Sequence, residues 1–402
     1  MKSEWTELPL GKIIDLVIDY RGKTPKKLGG DWSNTGYRAL SARNIKTGRI
    51  VQTDTIRYVD ESLYQKWMKD EVRRGDILIT SEAPFGQIFY WDSEEKIVLS
   101  QRLFCIRVNP KYDARFIYYY MTTSAFQGEL AGRSTGTTVI GLRQPELMKC
   151  IIHIPSGENQ HRIASILASI DAKISSNQKI NDNLYAQAKA TTKQWISKST
   201  GDYELLPLSD IASINPDTYS PKETWKYVNY LDTSSITEGC IAEIQHITPS
   251  SEKLPSRARR KIAPNDIVFS TVRPNQRHYG IISEPLPNML GSTGFAVIRS
   301  KNPLVCNELI YLCLTENEFI EKMQQLAEQS TSTFPSIKPS DLGVCKIPCP
   351  KDQSSTSFTE TLKSLFALIA ANQRENISLS EIRDALLPKL MSGEIDVSDI
   401  QL

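Results

Sequence analysis

Apolar residues recur along this chain with two different periods. From 158 to 200, and again from 352 to 402, they return at steps of three and four. In the first stretch Ile163, Ile170, Asn177, Leu184 and Thr191 share one heptad position, and Leu167, Ile174, Asn181, Ala188 and Trp195 share the other. In the second, Phe358, Leu365, Asn372, Leu379 and Leu386 match the first set, and Leu362, Ile369, Asn376, Arg383 and Leu390 the second. Such spacing over about four heptads predicts two long helices paired as a coiled coil. Asn177, Asn181, Asn372 and Asn376 fall at matching seam positions. Asn in a seam lowers stability but fixes register and partner.

The remaining stretches are shorter in period. GDILITS, KIVLSQRLFCIRV, NDIVFST and GFAVIRS are β-branched runs bounded by Gly, Pro or Asn, and predict strands. ARFIYYYMTTSAFQGELAG and CNELIYLCLTENEFIEKMQQLAEQ predict helices. No βαβ alternation appears, which disfavours a doubly wound sheet. The class expected is α+β.

The two halves are copies. At a constant offset of 195, Leu147 falls on Leu342, Cys150 on Cys345, Pro155 on Pro350, and Asn177-Gln178 on Asn372-Gln373. Over 142–190 against 337–385 there are 13 identities in 49 ungapped pairs. Chance gives about 3 at ordinary residue usage. Upstream, Leu8-Pro9-Leu10 resembles Leu206-Pro207-Leu208, and GDILITSEAPFG resembles NDIVFSTVRPNQ. The expected division is a strand-rich domain at 1–157, a spacer helix at 158–200, a second such domain at 201–351, and a second spacer helix with a short, loosely ordered tail at 352–402. A chain that leaves the first domain along one helix and returns along the other has its helices antiparallel. The copies are then related by a pseudo-two-fold axis.

Charge sharpens this division. The 402 residues carry 48 Lys and Arg against 46 Asp and Glu, a net +2. By segment the net is +5 over 1–157, +3 over 158–200, −2 over 201–351 and −4 over 352–402. One spacer helix is basic and the other acidic, which suits them for each other. The total excludes a uniformly basic coat. The opening MKSEWTELPL is too polar for a secretory signal, and no apolar run is long enough to span a membrane. Seven cysteines without a C-x-x-C pattern suit a reducing, cytoplasmic setting.

Catalytic signatures are missing. Arg21-Gly22-Lys23-Thr24 resembles the end of a phosphate-binding loop, but Val17 stands where its first Gly belongs. Asn109-Pro110-Lys111-Tyr112 departs from an adenine methyltransferase tetrapeptide at its third residue. The four histidines are scattered, and Cys345-x3-Cys349 lacks a second half-site.

Basic and polar loops remain as binding candidates. After the first G-D-I strand come Ser81, Glu82, Phe85 and Gln87; after its counterpart come Arg273, Asn275, Gln276 and Arg277. The Ser/Thr-rich loops give Arg133, Ser134 and Thr135, and Ser330, Thr331 and Ser332. Arg257, Arg259 and Arg260 form a cluster before a strand. Lys23, Arg43 and Arg102 suit phosphate contact. Arg and Lys position a protein on phosphates, while a few loop side chains read base edges.

Two variable domains joined by helical regions opening IIHIP-x4-Q-x-R-I (151–163) and KIPCP (346–350), each domain beginning with L-P-L, resemble the specificity subunit of Type I restriction–modification systems. The resemblance covers essentially the whole chain. KDQSSTSFTET departs from the helix opening of the first copy. The resemblance implies that each domain is a target recognition domain reading one half of a bipartite, asymmetric site in double-stranded DNA. It implies an antiparallel coiled coil that sets the spacing, and methyltransferase subunits, usually two, docked on it. Those partners, not this chain, would hold S-adenosylmethionine, and a motor–nuclease subunit can join them. Residues 163–195 rise about 48 Å as a helix, enough to hold two domains about 34–36 Å apart, one turn of the duplex. The alternatives are a self-contained adenine methyltransferase with degenerate motifs, and a coiled-coil adaptor that binds no DNA.

Overall fold

The computed structural model describes residues 5–136, 140–198, 201–220, 222–330 and 334–400. The chain folds into two compact units. One comprises Met1–Ser175 with Asn376–Leu402, the other Ser176–Glu375.

In the first unit, Thr6–Pro9 pairs antiparallel with Ile151–Ile154. A four-stranded sheet runs in the order Ile14–Asp19, Leu103–Val108, Ile77–Thr80, Ile88–Tyr90. A three-stranded sheet holds Arg57–Val59, Tyr37–Leu40 and Ile97–Leu99, the last two parallel. Each core strand follows from its sequence. Ile77–Thr80 and Leu103–Phe104-Cys105-Ile106 lie at the junction of two hydrophobic clusters and are buried on both faces, hence unbroken apolar runs. The KIVLSQRLFCIRV run is two strands rather than one, because Gln101-Arg102 turns the chain between them.

The second unit repeats this plan. Tyr203–Pro207 pairs with Lys346–Pro350. Its main sheet runs Ala212–Ile214, Phe295–Ser300, Asp266–Ser270, Tyr279–Ile282. Its other sheet, Gln245–Ile247, Val228–Leu231, Met289–Ser292 and Ala258–Lys261, has one more strand than its counterpart. Where the first unit places the helix Glu61–Trp67, the second has an edge strand.

Each predicted globular helix is broken in two. Ala114–Thr122 and Ser124–Gly132 meet at Thr123, whose hydroxyl accepts from Phe126 N and starts the second helix. Asn307–Leu314 and Asn317–Glu328 break at Thr315-Glu316, where the Thr315 hydroxyl donates back to Tyr311 O at 2.8 Å. A Ser/Thr that can bond its own backbone interrupts a helix that apolar spacing alone would continue.

The long helices run Gly157–Lys198 and Thr356–Met391. In the second unit they are antiparallel: Asn177 Nδ2 donates to Glu375 at 2.7 Å, Asn372 Nδ2 to Asn181 Oδ1 at 2.8 Å, and Trp195 stacks on Phe358 with ring centres 4.4 Å apart. In the first unit Arg383 Nη1 donates to Asp171 at 3.0 Å, and Ile163 shares a core with Leu390. The Asn376 carbonyl accepts from the Ser380 hydroxyl at 2.8 Å. Asp352 accepts from Ser354 N, and a short turn at Gln353–Ser355 precedes the second helix, replacing the opening that KDQSSTSFTET lacks.

The tail after Gly393 is not loose. Val397 is buried and Ile395 packs with it in the first unit's core, because both apolar residues find Leu390 and Met391 within reach. All seven cysteines are free thiols. Burial pushes Cys306 and Cys313 up to about 12 and Cys150 to about 11, while Cys240 lies exposed in a hairpin. Iodoacetamide at about pH 8 is expected to modify Cys240 first, since the others hold little thiolate. Equal or faster labelling of Cys306 in the native protein, read by peptide mass, would contradict this burial.

Candidate nucleic-acid interface

Each unit carries the same backbone frame at the end of its central strand. In the first, Ser81 N donates to Arg102 O at 2.9 Å and Leu142 N donates to Ser81 O at 3.0 Å. In the second, Thr271 N donates to Gly294 O at 2.8 Å and Ile337 N to Thr271 O at 2.9 Å. At the opposite end of each central strand, where it begins, lies the same ion pair. Arg107 grips Asp76 with Nε at 2.9 Å and Nη2 at 2.8 Å; Arg299 grips Asp266 at 2.7 and 2.9 Å. A loop amide, Arg73 N or Ala263 N, also donates to each carboxylate. The three-point hold fixes where the preceding loop ends and the strand begins.

In the first unit the frame opens into a cleft of about 590 Å³. Ser81, Glu82, Arg102 and Thr135 line it, brought together from three separate stretches of sequence. Glu82 Oε1 and Arg102 Nε form an ion pair 2.9 Å apart. Ser81 is only 2% exposed, so it shapes the wall rather than reaching outward. Thr135 pairs through its backbone with Gly141, both N···O distances 2.9 Å.

The other candidates of this unit are held by the protein itself. Gln87 Oε1 accepts from Thr47 N and Oγ1. Phe85 packs on the core. Arg133 bonds Glu129 at 3.0 Å, and Ser134 Oγ donates to Ala131 O at 2.6 Å, ending a helix. Lys23 donates to Trp67 O at 2.8 Å and lies over the Tyr20 ring; burial, then Lys69, lowers its pKa. Arg43 is exposed and has no bonded partner among the described residues.

The second unit fills its frame differently. Val272 and Gly294 stand where the first has Glu82 and Arg102. Arg273 instead lies 5.0 Å over the ring of Phe334, which is 53% exposed. Asn275 N donates to Gln324, and Gln276 N to Arg273 O. Arg277 is occupied by Glu238 at 3.1 Å and Asn317 at 2.9 Å. Ser330 Oγ accepts from Ser336 N, while Thr331 and Ser332 lie outside the described residues.

Arg257, Arg259 and Arg260 do not form a loop. Arg259 and Arg260 belong to the edge strand Ala258–Lys261, with Arg257 just before it. Arg260 Nε is buried without a partner, and that burial lowers its pKa. Charged side chains on an edge strand also keep it from pairing with other chains.

The charged cleft residues Asp19, Arg21 and Arg143 are not among the binding candidates that the sequence offered. Asp19 holds Arg21 through Nε at 2.9 Å and Nη2 at 2.7 Å, and Arg21 stacks on Phe104. Arg143 is exposed. Its signal was available, since the repeat places Lys338 at the same position.

The family described as the Type I restriction modification DNA specificity domain matches residues 2–186. The Type I restriction enzyme MjaIX specificity subunit of Methanocaldococcus jannaschii is 24% identical over 81% of this chain and 79% of its own. A second from that organism, the putative type I restriction enzyme MjaX specificity subunit, is 22% identical over 98% of this chain and 94% of its own. Over these stretches the chain is similar to the Type I restriction–modification specificity subunits. A crystal structure of such an S subunit from M. genitalium shares the fold, with a TM-score of 0.58 at 17% identity over 96% of both chains. The likeness in fold to that structure therefore extends over both units, beyond residues 2–186. Among the described residues no helix is long and apolar enough to cross a membrane.

Proposed function

We propose that this specificity subunit binds double-stranded DNA and assigns a sequence to methyltransferase subunits docked on its helices. Residues 1–157 and 201–351 act as two target recognition domains, each reading half of a bipartite, asymmetric site. The observation that carries this is one backbone frame built twice and filled differently: Glu82 and Arg102 in one copy, Val272 and Gly294 in the other. A conserved frame with divergent mouths suits two readers of unlike half-sites. The chain does no chemistry itself. S-adenosylmethionine belongs to the methyltransferase partners, which transfer its methyl group to adenine. A motor–nuclease subunit joins the same complex in the cytoplasm.

The paired helices act as the spacer in this reading. Four residues added to both helices, after Ser175 and after Glu375, lengthen each by about 6 Å. The gap between half-sites is expected to lengthen by up to about two base pairs, at about 3.4 Å per pair. Mapping methylated adenines for the assembled complex reads this directly. An unchanged gap in an active complex would refute the spacer role.

A further inference from the structure

We infer that the Glu82–Arg102 pair reads a G·C base pair in the major groove. This rests on the reading above that the first unit faces duplex DNA, and it assigns the base chemistry of one position in its half-site. Two residues from different loops meet at the mouth of the cleft, one carboxylate and one guanidinium. Both side chains reach solvent, at 34% and 51% exposure.

The backbone presents Arg102 deliberately. Its φ is +64°, the left-handed region that a residue with a side chain adopts only where its surroundings impose it. Its carbonyl is fixed by Ser81 N, and the next residue, Leu103, already lies in the core strand. Glu82 Oε1 stands 2.9 Å from Nε of the guanidinium as its ion-pair partner. Among the described residues the two terminal nitrogens have no acceptor. The carboxylate thus holds the stem and leaves the outer fork free. That fork matches guanine, whose O6 and N7 accept two parallel N–H bonds. An A·T pair would set the adenine amino group against the same donors.

Glu82 keeps one oxygen for the partner base. Its Oε2 lies 3.5 Å from where a Cβ at Gly141 would stand, so on that side no side chain covers it. Cytosine N4 is a donor adjacent to guanine O6 in the groove and suits that oxygen.

The neighbouring cations are arranged for other work. Arg21 spends Nε and Nη2 on Asp19 and turns Nη1 toward Leu142 O at 3.4 Å. Arg143 is exposed and makes no ion pair within 4 Å among the described residues, as suits a phosphate contact. In the second unit the frame offers Val272 and Gly294, so this mode of reading is confined to one half-site.

The test uses the full chain assembled with its methyltransferase subunits on a randomised duplex library, with methylated adenines mapped by sequencing. Arg102→Ala is expected to make one G·C position of one half-site degenerate, its discrimination falling on the order of 10- to 100-fold. All other positions should keep their preference. Glu82→Gln keeps the side-chain shape and should relax the same position by a smaller factor. Unchanged discrimination in both variants, or relaxation at an A·T position, would overturn the assignment. Should Arg102→Ala fail to fold, judged by thermal unfolding, Glu82→Gln decides alone. A wild-type complex with no sequence preference would overturn the underlying functional reading as well.

Discussion

Arg299→Met should destabilise the second unit by about 3–5 kcal/mol, measured by urea unfolding of the full chain. Asp266 is 0% exposed, and Arg299 supplies two of the three donors to its carboxylate. Without them a buried carboxylate keeps a single amide, the costly outcome of breaking such a pair. The magnitude does not measure what the intact pair contributes, because desolvation offsets much of the attraction. The double variant Asp266→Asn with Arg299→Met separates these terms. It should lose clearly less than Arg299→Met alone, since no unpaired charge remains. Arg107→Met should behave alike in the first unit, where Asp76 is held in the same geometry. A loss below about 1 kcal/mol for both would mean that water reaches these carboxylates.

Trp195→Ala is expected to be comparably severe, about 3–5 kcal/mol. Trp195 is 9% exposed and occupies the last seam position of the first long helix. It stacks on Phe358 with planes 7° apart, leans on Tyr203, and donates Nε1 to Ser355 Oγ at 3.1 Å. One side chain therefore fastens two helices and the strand that opens the second unit. Trp195→Phe retains the stacking and should lose about 1 kcal/mol with the hydrogen bond. Near-equal losses for the two variants would show that the bond, not the ring contact, dominates.

The helices were the most legible part of this chain. All twenty seam positions expected from the heptad are buried or half-buried. Their period is local, so no distant contact is needed to read it. Buried Asn177, at 1% exposure, meets Glu375 across the seam, a pairing that follows from an antiparallel register once the duplication is seen. The cleft was legible only in part. Ser81-Glu82 follow a recognisable strand, but Gln101-Arg102 and Leu142-Arg143 reach them through ladder bonds between segments twenty to sixty residues apart. No spacing rule announces such a meeting. The edge strand Ala258–Lys261 was hidden for a related reason: three charges in a row resemble a loop until a partner strand is known.

The make-up of the two units bears on how the protein is born. Ser176–Glu375 is one uninterrupted segment, whereas the other unit needs Asn376–Leu402 as well as the opening 175 residues. Leu390, Met391 and Val397 fill that unit's core. A ribosome working from the amino end makes the first 175 residues early, yet must hold their core open until the final helix emerges. The middle segment can close meanwhile. The portion synthesised first is thus the one completed last, and it is this portion that chaperones have most time to meet.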